Sequence, residues 1–340
     1  MSEHHHGRRP ESPRAGGYID VHHHALPPTL KKLLVDRALL PPVGGPPFAT
    51  WKLTDALETM DANGIEVGLA SAAIPSEFLG GDEAWAVQVA RTANESLAEI
   101  VRERPTRFGF LAYLPLPFTD ASLAEVAFAF DELHADGIIV GSHAGETYLG
   151  DPELDAVFAE LDRRRAVVLT HPFNLPSCGV TPLPPFVADF MLDTTRAAIQ
   201  IIMSGILDRY PAISFVLPHA GGFLPYQAAR LTLGSALGYG LDAATVHASL
   251  RRFHYDTAGP MSPYATPTLL AAAGVSRILY GSDYNAVPGP MIAATSQALR
   301  NDPALNPEAL RQIGRDNALR LFPTVGHRLE AAPRSVPATT

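Results

Sequence analysis

A chain of 340 residues with 46% hydrophobic and 18% charged content reads as soluble and globular, long enough for one large core or two ordinary domains. Its 26 Lys and Arg stand against 35 Asp and Glu, a formal net charge of −9 with no basic cluster, which argues against a nucleic-acid or anionic-membrane partner. No apolar run approaches the roughly 20 residues of a membrane span, and the one cysteine, Cys178, excludes an internal disulfide framework and a cysteine-rich metal site.

Residues 1–17 are polar and rich in His, Arg and Pro where a signal peptide would carry an apolar centre, so they read as a disordered tail and the cytoplasm as the compartment. The first strand, 18–23, runs into His22-His23-His24 and breaks at Ala25-Leu26-Pro27-Pro28. Further β-rich runs are expected at 66–72, 108–114, 137–142, 166–171, 213–218, 252–257 and 278–282, several nearly all apolar, as strands covered on both faces are. Helical periods cover 53–63, 83–103, 121–136, 152–164, 189–208, 225–237, 263–273 and 307–321. Asp151-Pro152 signals a helix start, and Asn63-Gly64 and Asp136-Gly137 signal stops. Two Pro-rich loops, 25–50 and 172–188, take up the surplus length, and Cys178 reads as a buried or half-buried thiol in the second. Strand and helix alternating eight times predict a (β/α)8 TIM barrel, whose usual size is about 250 residues plus insertions. It forms a single domain over 18–330, and 331–340 is a second polar tail.

In such a barrel the reacting groups sit at the C-terminal ends of the strands. His22 and His24 end the first strand, His143 follows the fourth, His171 ends the fifth, His219 follows the sixth and Asp283 the eighth. Alternation along a strand puts His22 and His24 on one face, able to grip one metal ion, and His23 on the other as a bystander. His143 fits either the pocket wall or structural support. Asp283 also fits a helix cap, because Gly281-Ser282-Asp283 precedes a loop and then a helix. Gly221-Gly222, without a phosphate-loop pattern around it, reads as room for the backbone to approach the metal pocket. Phe48, Trp51, Phe173, Phe186 and Phe190, in or just after the two long loops, suit the walls of an aromatic-acid pocket or the packing of a lid.

Five motifs occur in order: Ile19-Asp20-Val21-His22-His23-His24, Thr170-His171-Pro172, Leu217-Pro218-His219-Ala220-Gly221-Gly222, Leu279-Tyr280-Gly281-Ser282-Asp283 and Asn317-Ala318-Leu319-Arg320-Leu321-Phe322. With these the chain, from about Tyr18 to Phe322, resembles the amidohydrolase superfamily, in its metal-dependent decarboxylase branch related to aminocarboxymuconate semialdehyde decarboxylase. Arg107-Phe108-Gly109-Phe110, Tyr148-Leu149-Gly150-Asp151-Pro152 and Asp193-Thr194-Thr195-Arg196-Ala197 look closer to the 6-methylsalicylate decarboxylase group. The resemblance implies a divalent ion, Zn²⁺ or Mn²⁺, on His22, His24, His171 and Asp283, a donor set without thiolate that does not separate the two metals. It implies His219 as an acid/base beside the metal. It also implies Arg230 as a group binding substrate carboxylate across a dimer interface, where a surface ion pair is the plainer alternative.

The expected activity is non-oxidative decarboxylation of a hydroxybenzoate-like or related unsaturated acid, with His219 or Asp283 delivering a proton to the carbon that bears the carboxylate. The alternatives are hydrolysis of a lactone or amide at the same site, and a metal-bound barrel that only binds.

Overall fold

Phe108–Tyr113, apolar apart from Gly109 and buried at every position, forms a strand covered on both sides, and eight largely buried strands assemble here in parallel. The computed structural model describes residues 16–176 and 183–331; the expectations for the tails beyond Gly16 and Ala331 and for Cys178 lie outside the described residues. The strands are β1 Tyr18–His24, β2 Ile65–Ser71, β3 Phe108–Tyr113, β4 Gly137–Gly141, β5 Val167–His171, β6 Ser214–Leu217, β7 His254–Asp256 and β8 Ile278–Leu279. They lie side by side in chain order. The ends meet: the Val21 N–H donates to the Tyr280 carbonyl at 3.0 Å and the Asp283 N–H to the His22 carbonyl at 2.9 Å, which closes the sheet into a (β/α)8 barrel.

Helices wrap the outside. They include α1 Pro28–Asp36, α2 Leu53–Asn63, α3 Glu83–Glu103, α4 Thr119–Asp131, α5 Asp155–Arg163, α6 Asp189–Met203, α7 Leu224–Leu231, α8 Ala243–Leu250, α9 Thr266–Ala273 and α10 Gly289–Arg300. The stop at Gly64 is as read, with φ +70° closing α2. The Asp82 carboxylate accepts the Trp85 N–H at 3.1 Å and starts α3.

Three expectations need correction. Residues 25–50 are not all loop, because Pro28 supplies the first position of α1, where a proline's missing N–H costs nothing. Asp136-Gly137 does not stop α4, which ends at Asp131; Asp136 instead accepts the Phe110 N–H at 3.0 Å and pairs with Arg328 at 2.9 Å, fastening the C-terminal helix Pro323–Ala331. The segment 307–321 is not one α-helix but is interrupted by a π-helical turn, Gln312–Asp316. That turn brings Gly314 against the Tyr18 ring, where a Cβ would lie 2.6 Å from a ring carbon.

Candidate metal centre

The strand ends deliver four donors to one point. Between Asp20 and His23 the β1–β2 register slips by one residue, a bulge that leaves His22 and His24 directed into the barrel mouth with their Nε2 atoms 3.1 Å apart. Asp283, just past β8, brings Oδ1 to 3.5 Å from His22 Nε2 and 3.2 Å from His24 Nε2. His171 at the end of β5 completes the group, and one donor atom from each of the four lies within 4.8 Å of every other. Two donors of an ion bound at roughly 2.0–2.1 Å sit about 3–3.5 Å apart, so the separations of 3.1, 3.5 and 3.2 Å among His22, His24 and Asp283 fit a divalent cation.

The surroundings set the protonation that such an ion needs. His22 Nδ1 donates to the buried Asp256 carboxylate at 2.8 Å, which fixes the tautomer and leaves the Nε2 lone pair facing the other donors. Burial opposes charge on His22, but Asp256 more than offsets it and raises its pKa to about 9. Burial lowers His24, and it pushes His171 well below the ordinary value with help from the neighbouring imidazoles. Burial opposes ionisation of Asp283, yet hydrogen bonds to His219 and His24 hold it well below the usual carboxylate range. The neutral His24 and His171 rings and the ionised Asp283 carboxylate make a cation-binding set, and His22, held protonated by Asp256, gives up its Nε2 proton when an ion binds. His171 Nδ1 is buried without a hydrogen-bond partner, as a nitrogen reserved for a ligand would be.

His219 stands beside this group, its Nε2 3.5 Å from Asp283 Oδ2. Both residues occupy left-handed backbone, φ +54° for His219 and +59° for Asp283, a conformation few side-chain-bearing residues adopt. The His219 N–H donates to Asp256 Oδ1 at 2.8 Å, so one carboxylate orients both a donor histidine and the turn that carries His219. Asp256 escaped the sequence reading although it ends a buried strand just as the histidines do. Asp20 escaped it as well: it accepts from His23 Nδ1 at 3.1 Å and from the Ser282 N–H at 2.9 Å, tying β1 to the loop of Asp283. His23 is fully buried on the outer side and stacked on Tyr284 at 4.8 Å, the bystander position expected of it.

Other expected residues lie elsewhere. His143 is buried in a small hairpin, with Nδ1 2.7 Å from the Gly145 carbonyl and Nε2 3.0 Å from that of Asn174, and it faces a neighbouring cavity. Arg230 is exposed near the end of α7 and does not line the cavity in front of the donors of its own chain. Gly221 and Gly222 make room, but for other neighbours than the metal pocket: a Cβ on Gly221 would strike Tyr255, and one on Gly222 would strike Met191 O and Thr195 Oγ1. Phe48, Phe173 and Phe190 wall the cavity in front of the donors, whereas Trp51 is packed in the core and Phe186 is exposed.

A sequence profile of the amidohydrolase family matches residues 19–324. The chain belongs to the amidohydrolase family. This amidohydrolase is 34% identical over 324 residues to the 6-methylsalicylic acid decarboxylase of Penicillium expansum, a match that covers 92% of this chain and 98% of that one. A crystal structure of an amidohydrolase II shares the fold with a TM-score of 0.82 at 29% identity, covering 90% of this chain and 99% of its own. The structure of a 2,6-dihydroxybenzoate decarboxylase complexed with 2,6-dihydroxybenzoate gives 0.73 at 25% identity, over 90% and 99% of the two chains. No described helix is long and apolar enough to cross a membrane.

Proposed function

We propose that this amidohydrolase is a metal-dependent carboxy-lyase that removes CO₂ without oxidation from hydroxybenzoate-like acids. The observation that carries the reading is the near full-length match to a 6-methylsalicylic acid decarboxylase, on a chain whose three histidines and one aspartate converge at the barrel mouth. The same match favours decarboxylation over lactone or amide hydrolysis and over a barrel that only binds.

In this reading His22, His24, His171 and Asp283 hold a divalent ion, Zn²⁺ or Mn²⁺. The ion, when bound, supplies charge stabilisation and orientation for the substrate carboxylate and an adjacent oxygen. The chain's own groups do the rest. His219 and Asp283, 3.5 Å apart, are the pair that holds the proton destined for the ring carbon. As the new C–H bond forms, the ring loses conjugation; the bond to the carboxylate then breaks, CO₂ leaves, and its electron pair restores the ring. Walls such as Phe48, Phe173 and Phe190 keep water away and favour the departure of an uncharged product.

We further propose a homodimer or larger assembly in which Arg230 reaches the substrate carboxylate in the partner's site. Support comes from the apolar side chains exposed around Arg230, Tyr226 at 84%, Leu233 at 53% and Leu237 at 70%. The cytoplasm stays the proposed compartment. The test of the reaction is turnover of ortho-hydroxybenzoates in D₂O: CO₂ with one deuterium at the vacated ring carbon supports it, and a ring-opened or hydrolysed acid without CO₂ refutes it.

A further inference from the structure

The cavity in front of the four donors is larger than the reaction needs. Its volume is about 360 Å³, more than twice the roughly 150 Å³ cavity that accommodates a benzene ring. Away from the donors and His219 its walls include Leu26, Leu34, Phe48, Phe78, Phe173 and Phe190. Among the described residues no Lys or Arg faces it, and Glu77 and Asn174 are the only polar side chains beyond that cluster. Glu77 lies on the short 3₁₀ turn Ser76–Phe78 after β2. It is exposed, and it also borders the neighbouring cavity of about 490 Å³, so it stands at the rim where the two meet.

We infer that Glu77 sets the charge selectivity of this site: it admits aromatic acids whose single charge is the reacting carboxylate and whose other substituents are apolar, and it turns away rings that carry a second carboxylate. The inference rests on the decarboxylase reading and adds to it the identity of the far substituents. Two effects act together. A second carboxylate placed among phenylalanine and leucine side chains loses hydration with no cation of this chain to replace it. One placed nearer the rim meets the Glu77 carboxylate, a repulsive element of the kind that specificity often needs. An alkyl group meets neither obstacle and covers apolar wall. Arg230 from a partner, in the role proposed for it, binds the reacting carboxylate and leaves the far substituent where it was.

The experiment uses metal-loaded full-length protein and two ligands that share an ortho-hydroxybenzoate ring, one with an apolar alkyl substituent and one with a second carboxylate at the same position. Affinity for each is measured by calorimetry, and CO₂ release in parallel. Because Glu77 is solvent-screened, the Glu77→Gln change is expected to narrow the preference for the alkyl ligand by about threefold to tenfold. Glu77→Lys narrows it further, and added salt narrows it in the wild type but not in Glu77→Gln. An unchanged ratio in both variants, or a wild type that binds the two ligands equally, overturns the inference. The two readings fail separately: a shifted binding ratio with no CO₂ from either ligand keeps the selectivity role and removes the decarboxylase reading. CO₂ release with an unshifted ratio does the opposite.

Discussion

Replacing Asp256 by Asn tests how the donor set is held. Asp256 accepts from His22 Nδ1 at 2.8 Å, from the His219 N–H at 2.8 Å and from the Ala258 N–H at 3.0 Å. Asn has the same shape but one oxygen. If that oxygen turned to His22, its NH₂ would face two buried backbone N–H groups, each costing about 1–3 kcal/mol when left unpaired. The oxygen therefore stays with the two N–H groups and the NH₂ faces His22 Nδ1. His22 must then accept at Nδ1 and carry its proton on Nε2, the atom that faces the other donors. Loss of an orienting partner of this kind typically weakens metal affinity about 10–100-fold, or about 1.4–2.8 kcal/mol. Competition against a chelator, with Zn²⁺ and Mn²⁺ in turn, measures it. An Asp256→Asn protein that binds either ion as tightly as the wild type would refute the tautomer argument.

His254 on β7 offers a pH test away from the site. Burial, reinforced by Arg277 at 3.3 Å, lowers its pKa from 6.5 to about 4, so the folded state favours the neutral ring. The resulting stability is complete above pH 6.5 and is lost as pH falls towards 4, about 3 kcal/mol in all. Urea unfolding of His254→Gln should therefore show a flatter pH profile across that window than the wild type, and identical slopes would count against it. Gly222→Ala combines φ +62° with a Cβ pressed against α6. It should cost more than about 2 kcal/mol in thermal unfolding, and a variant as stable as the wild type would show that the turn can shift.

Much of the barrel is legible in the sequence because several of its strands are nearly all apolar, as β3 is, and because Gly64 and Asp151 mark helical ends by local chemistry. Other features depend on tertiary contacts that no local signal carries. The π-helical turn at Gly314 exists because Tyr18, almost 300 residues earlier, occupies the place of a Cβ. The polar residue that looks like a helix stop at Asp136 is claimed by Arg328 on the last helix. α8 and α10 were missed because short segments such as Ala-Ala-Thr-Val-His-Ala-Ser-Leu lack a clear polar face. Strand-end position singled out His22, His24, His143, His171, His219 and Asp283, and the motifs of the family resemblance narrowed these to the four proposed metal ligands. Asp256 obeys the same rule and was overlooked for want of a motif, and His143 obeys it but is turned away by the hairpin.

The central claim is that the four donors hold a metal on which CO₂ release depends. Purified protein would be analysed for bound metal, stripped with chelator and reconstituted. CO₂ and the decarboxylated ring would be quantified over a panel of ortho-hydroxybenzoic acids, with His171→Ala alongside. The account predicts equimolar CO₂ and ring product from the metal-loaded wild type, loss on stripping, recovery with Zn²⁺ or Mn²⁺, and neither retained metal nor turnover in His171→Ala. Full CO₂ release from stripped protein, or from His171→Ala without metal, would contradict it.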